Sequence, residues 1–166
     1  MVERYAIAKK RCIIIKYHAD NRYNYLSKAG GIVSHRGDEY ANVPNTVCRK
    51  LGEVDVADCD VIGIDEGQFF PDITEMSSLW ANSGKIVICA YLDGRADMKP
   101  FGDVGQMIIQ SEHILKLSAI CFNCQRDASF NHRLVNTADS LSEDIGGADK
   151  YVALCRDCKN TYCKLN

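Results

Sequence analysis

Two groups of side chains in this sequence have the types and spacing to do chemistry. Cys121, Cys124, Cys155 and Cys158 form two C-x-x-C knuckles, CFNC and CRDC, with thirty residues between them. Four thiolates presented from two tight turns suit a tetrahedral Zn2+. The competing reading, a pair of disulfides, needs an oxidising compartment, and MVERYAIAKKR is charged throughout with none of the apolar stretch of a secretion signal. A metal held by four protein ligands is expected to be structural, pinning together the two ends of residues 125–154. Cys12, Cys48, Cys59 and Cys89 stand singly in apolar or helical contexts and are expected to pack as small hydrophobes.

The second group is Asp65 and Glu66, which end the aliphatic run VIGI (61–64) and precede GQFF. A strand that finishes in Asp-Glu delivers both acids to the ligand crevice at the carboxyl edge of an α/β sheet. There one acid can serve Mg2+ while its neighbour accepts a proton from an attacking hydroxyl. The plainer alternative is that Asp65 only caps the helix that follows.

Positioning those acids requires regular elements around them. RCIIIKY (11–17), CDVIGID (59–65) and KIVICAYL (85–92) read as short buried strands. PDITEMSSLWANSG (71–84) has a proline start, apolar Ile73, Met76, Leu79 and Trp80, and a glycine stop, so it reads as a helix. Strand, helix, strand is a βαβ crossover, the unit that builds parallel sheets, and the fold class is therefore α/β. VERYAIAKK reads as the tail of a helix, and 18–58 as a long polar loop with some helix near 46–53. From 117 onward LSAIC, SFNHRLV and KYVALC read as strands between the cysteine turns, which places a boundary at 116/117.

Composition narrows the partners. A hydrophobic fraction of 46% and a charged fraction of 25% are ordinary for a globular protein. A net charge of −2 gives no global reason to bind nucleic acid, and the cysteine-rich segment carries Asp127, Asp139, Glu143, Asp144, Asp149 and Asp157 with no basic stripe. A zinc ribbon acting on nucleic acid is thus the weaker alternative. Apolar runs such as IVICAYL are too short to span a bilayer, so no membrane partner and a cytoplasmic location are expected.

IDEGQFFPDI (64–73), ANSGKIVICAYLDG (81–94), KPFG (99–102), LSAICFNC (117–124), IGGADKY (145–151) and CRDC together resemble the zinc-containing thymidine kinase family along essentially the whole chain. The resemblance implies a parallel-sheet, P-loop-kinase-like domain over 1–116 and a small zinc-binding lasso domain over 117–166. It implies that thymidine and ATP are substrates, that Mg2+ accompanies ATP, that zinc is structural, and that the chain self-associates as a homotetramer. Glu66 then matches the general base, Asp65 the acid serving Mg2+, and Asp20, Asn21, Arg22, Gly67 and Gln68 the ATP-phosphate side. Phe69, Leu92, Phe101 and Tyr151 match the nucleoside pocket, and Ser142, Glu143, Asp144, Ile145 and Gly146 the lid whose backbone reads thymine.

The sequence departs from the family pattern in places. Ala96 stands where the family usually has a pocket aromatic, Met98 where it often has Arg, and Asn131 where it often has Thr. The phosphate cradle G-x-x-x-x-G-K-[ST] occurs nowhere in the 166 residues. The first strand and its P-loop are accordingly expected to be missing, and phosphoryl transfer by these residues alone to be poor. A catalytically inactive, thymidine-kinase-like structural or regulatory subunit is the alternative that follows.

Overall fold

The computed structural model describes residues 1–19, 43–134 and 150–165. They form two compact units, Met1–Leu92 with Gly102–Gln110, and Asp93–Phe101 with Ser111–Asn166.

The first unit is built on a four-stranded parallel sheet of β1 (Cys12–Tyr17), β2 (Asn45–Cys48), β3 (Val61–Ile64) and β4 (Ile86–Cys89), in the order β2-β1-β3-β4. The α/β expectation and the parallel crossover are met. β3 is buried at every position, as a strand covered on both faces must be, and its run of aliphatics without alternation follows from that. One expectation fails: residues 46–53 are not helical in the main. β2 occupies Asn45–Cys48, and only a single 3-10 turn, Leu51–Glu53, follows it. The open edge of β1 offers backbone partners to Asn45–Cys48, and the β-branched Thr46 and Val47 suit a pleated surface, so pairing overrides a weak helical signal.

Helices α1 (Val2–Ile7), α2 (Ile73–Asn82) and α3 (Val104–Gln110) accompany the sheet. α2 buries Ile73, Ser77 and Trp80 against a core that includes Ile15, Leu51, Ile62 and Phe70, while Leu79 stays 57% exposed. α1 comes so close to β3 that a Cβ on Gly63 would lie 2.7 Å from Val2 Cγ2. Real Cβ atoms do not approach that closely, so Gly63→Val must displace α1 or bend the central strand. The expected cost is about 1 to 3 kcal/mol, as for other overpacked cores, read as a lowered midpoint in urea. Ahead of β3, the Lys85 ammonium donates to the carbonyls of Val56, Ala57 and Cys59 at 2.7, 3.0 and 2.8 Å, closing that loop around one cation.

The second unit contains two small antiparallel pairs and a helix. β5 (Ala119–Ile120) pairs with β6 (Asp127–Ala128), and β7 (Phe130–Arg133) with β8 (Tyr151–Leu154), followed by α4 (Arg156–Leu165). Among the described residues its buried cluster is Cys121, Ala128, Leu154, Cys155 and Cys158, in which Leu154 is the one large aliphatic. A core that small cannot hold a fold by apolar burial alone. The four cysteines at its centre are therefore the natural staple.

Candidate functional site

β3 carries the acidic pair to the carboxyl edge of the sheet. The Asp65 N–H still donates to Ile15 O at 2.9 Å, and the chain then turns. Glu66 makes the turn with φ 54 and ψ 44, in the left-handed region that costs an ordinary residue about 1 to 2 kcal/mol. Three backbone bonds hold it there: Gly67 N–H to Ala90 O at 2.9 Å, Phe69 N–H to Glu66 O at 3.1 Å, and Phe70 N–H to Gly67 O at 3.2 Å. Gly67 is needed because a Cβ there would sit 3.0 Å from Tyr91 Cδ2 and 3.3 Å from Ala90 O.

The side chains continue that order. Asp65 Oδ1 accepts from the Glu66 N–H at 3.1 Å. The Glu66 carboxylate accepts a short hydrogen bond from Gln68 Nε2, and Gln68 Oε1 accepts from the Leu92 N–H at 3.0 Å. Gln68 is only 7% exposed, and both ends of its amide are used, so one orientation is fixed. It links the carboxylate that ends β3 to the backbone that leaves β4. The capping alternative does not hold for α2: that helix starts at Ile73 with Asp72 at its N-cap. Asp72 itself accepts from the N–H groups of Leu51 and Gly52, each at 3.0 Å, and so secures the neighbouring turn.

Phe69 is buried and stacks on Tyr17, with ring centroids 5.4 Å apart and planes 28° apart; Tyr17 meets Phe70 edge-on at 5.2 Å. Tyr17 thus belongs to one aromatic cluster with Phe69 and Phe70, and sequence reading missed it. Its position as the last residue of β1, at the edge that also receives Asp65, was the available signal. Burial, reinforced by Asp103, pushes the Tyr91 hydroxyl up to about 12, so this ring is a neutral packing element beside Gly67 and Gly102.

Leu92 is partly exposed in the first unit; Phe101 and Tyr151 are half-buried in the second, Tyr151 lying opposite Arg133 in β8. Asp20, Asn21, Arg22, Ser142, Glu143, Asp144, Ile145 and Gly146 lie outside the described residues.

The cysteine cluster meets its expectation. The four Sγ atoms of Cys121, Cys124, Cys155 and Cys158 all lie within 4.8 Å of one another, with Cys124 and Cys155 at 3.5 Å. A tetrahedral site with Zn–S bonds of about 2.3 Å has edges of about 3.8 Å, so the cage fits that ion. Donors surround it: Cys155 N–H to Cys121 Sγ at 3.3 Å, Asn123 Nδ2 to Cys158 Sγ at 3.3 Å, and Arg126 Nε to Cys124 Sγ at 3.4 Å. Arg126 also pairs with Asp157 at 2.8 Å, which fixes its guanidinium beside the thiolates. Burial alone would raise the Cys121 thiol, but the N–H groups of Cys155, Cys124 and Asn123 outweigh it and bring it down to about 6. Cys158 goes the other way, to about 12: the Asn123 amide draws it down, and burial with hydrogen bonds to the other three thiols outweighs that. Zinc takes thiolates, so metal binding at these four cysteines releases protons.

No helix among the described residues is long and apolar enough to cross a membrane. A sequence model of the family described as Thymidine kinase matches residues 1–159. Thymidine kinase 1 of Dictyostelium discoideum is 42% identical over 160 residues, which is 96% of this chain and 69% of that protein. The thymidine kinase of Yaba monkey tumor virus is 42% identical over 168 residues, covering 100% of this chain and 86% of the relative. That of Variola virus is 44% identical over 157 residues, 95% and 84% of the two chains.

Proposed function

The chain belongs to the thymidine kinase family, a family of phosphotransferases, and from that premise we propose that it transfers the γ-phosphate of ATP to the 5′-hydroxyl of thymidine. The observation that carries this reading is the Asp65–Glu66 pair at the carboxyl end of a fully buried parallel strand, with Glu66 held by Gln68. The 5′-oxygen attacks the γ-phosphorus, the bond to the β-phosphate oxygen breaks, and ADP leaves while Glu66 takes the hydroxyl proton. Asp65 supplies a hard carboxylate oxygen of the kind Mg2+ accepts, and that ion would neutralise phosphate charge. Gly67, Gln68, Asp20, Asn21 and Arg22 are assigned to the phosphate side. Phe69, Leu92, Phe101, Tyr151 and the Ser142–Gly146 stretch are assigned to thymidine.

Zinc on the four cysteines is read as structural: it shapes the unit that carries Phe101 and Tyr151 and takes no part in the chemistry. Residues 1–116 are read as the nucleotide-kinase domain and 117–166 as the lasso domain of a cytoplasmic homotetramer. All the relatives named above bear an enzyme's name, which favours the kinase over a regulatory subunit.

Two assays test the reading. Conversion of labelled thymidine to dTMP with Mg2+ and ATP reads the whole reaction. Because the 166 residues contain no G-x-x-x-x-G-K-[ST], calorimetric titration with thymidine reads the nucleoside side separately. Thymidine binding with discrimination against uridine is expected; a zinc-loaded protein that binds neither would sink the proposal.

A further inference from the structure

Residues 93–101 form a small loop closed on itself. Gly94 bridges Pro100, Arg95 N–H donates to Lys99 O at 3.0 Å, Met98 N–H to Arg95 O at 3.1 Å, and Phe101 N–H to Asp93 O at 3.2 Å. Met98 takes φ 66, so the tip is held in a conformation that an ordinary side chain avoids. Such a loop needs external ties to keep one geometry, and the second unit supplies them from a single place. Lys159, in the first turn and a half of α4 and adjacent to the metal ligand Cys158, is 6% exposed. Its ammonium donates to Ala96 O at 2.8 Å and to Asn131 O at 2.7 Å. Asn131, on β7, donates from Nδ2 to Gly94 O at 2.9 Å.

A buried ammonium is costly unless its protons are used, and here it is satisfied by carbonyls of the loop and of β7 together. Carbonyls bound to a charged donor contribute more than neutral pairs. Lys159 N–H in turn donates to Cys155 O at 2.9 Å, so the lysine's own backbone is set by the knuckle that presents two of the four thiolates.

We infer that Lys159 is a positioning residue that bolts the 93–101 loop to the metal-holding helix, and that nucleoside affinity depends on this bolt. The second clause rests on the thymidine kinase reading above, through Phe101, which the loop carries. Lys159 touches no reacting atom in this account; it acts through the loop.

The test uses the zinc-loaded 166-residue chain. Lys159→Met keeps the length of the side chain and removes the charge. Hydrogen exchange at the amides of Arg95, Met98 and Phe101 is expected to quicken by about tenfold or more, the equivalent of one lost charge-assisted bond. Zinc content and exchange across β1–β4 should stay as in the parent. Thymidine affinity should fall by about tenfold while ATP affinity is unchanged, a split that general destabilisation would not produce. Parental exchange at those three amides overturns the bolt; quickened exchange with parental thymidine affinity overturns its role in recognition. Should Lys159→Met fail to retain zinc, Asn131→Ala, which removes only the bond to Gly94 O, is read the same way with a smaller expected effect. If the parent protein itself binds no thymidine, the functional reading falls, and the exchange result alone decides the bolt.

Discussion

Glu66→Gln is expected to lower dTMP formation by about a hundredfold to ten-thousandfold, the range in which general bases contribute. Thymidine affinity is expected to stay within about twofold, since the interaction removed belongs to the transition state. The substitution is well suited to separate chemistry from architecture. The left-handed turn at residue 66 is no more strained for an amide than for a carboxylate, and the Gln68 Nε2 donor still finds an oxygen to serve. The Asp65 carboxylate and the backbone bonds through Gly67, Phe69 and Phe70 are untouched. A melting temperature within about 2 °C of the parent is therefore expected. On the proposed assignment, what is lost is the capacity to take the 5′-hydroxyl proton. If the variant turns over at the parental rate, the base is another group.

Removal of the metal should have the largest effect on structure. With a strong chelator, the second unit is expected to lose β7, β8 and α4, seen as a fall in far-UV ellipticity and as full exchange of its amides. The first unit, with its own core of Ile15, Leu51, Ile62, Phe70 and Trp80, should persist. Thiolate zinc sites contribute about 10 to 16 kcal/mol of apparent binding free energy, which in such domains is folding free energy. The second unit has little to set against that loss. Among its described buried residues Leu154 alone is large and aliphatic, and Gln125 turns the first knuckle at φ 63, another left-handed cost without a glycine. Unchanged ellipticity and exchange after complete zinc removal would show that apolar packing suffices and that the cysteines are only buried thiols.

Much of this was legible in the residues. VIGI had to be covered on both faces, and Asp65–Glu66 had to emerge at its end; the knuckle spacing foretold the cage. The helix expected over 71–84 forms at Ile73–Asn82. The parts that were not legible depend on contacts distant in sequence. Asn45–Cys48 reads as the junction of a polar loop with a helix near 46–53, because its strand identity comes from β1, some thirty residues earlier. Seven-residue α3 has a start signal in Asp103 but a weakening Gly105 in its first turn and no glycine stop, and α4 is written almost wholly in polar residues around Cys158. Gln68 was assigned to the phosphate side from its motif alone; that its amide spans from Glu66 to Leu92 could only be read from coordinates. Tyr17 was read as the end of a strand, and its stacking on Phe69 depends on a turn fifty residues later.

The order of the sheet also bears on how the chain comes to be folded. β1 is made before both of its partners, and they are distant: Ile14 meets Asn45, and Cys12 meets Val61. Loop closure must be achieved before such parallel pairings return any stability, which makes them slow to form. During synthesis the stretch CIIIKY therefore leaves the ribosome as an unpaired, strongly apolar segment, and both of its edges are covered only once Asn45–Cys48 and then VIGI have emerged. That interval, set by topology rather than by the finished structure, is when the chain is most exposed to association with its neighbours, and slower translation between residues 17 and 61 should lower the soluble yield.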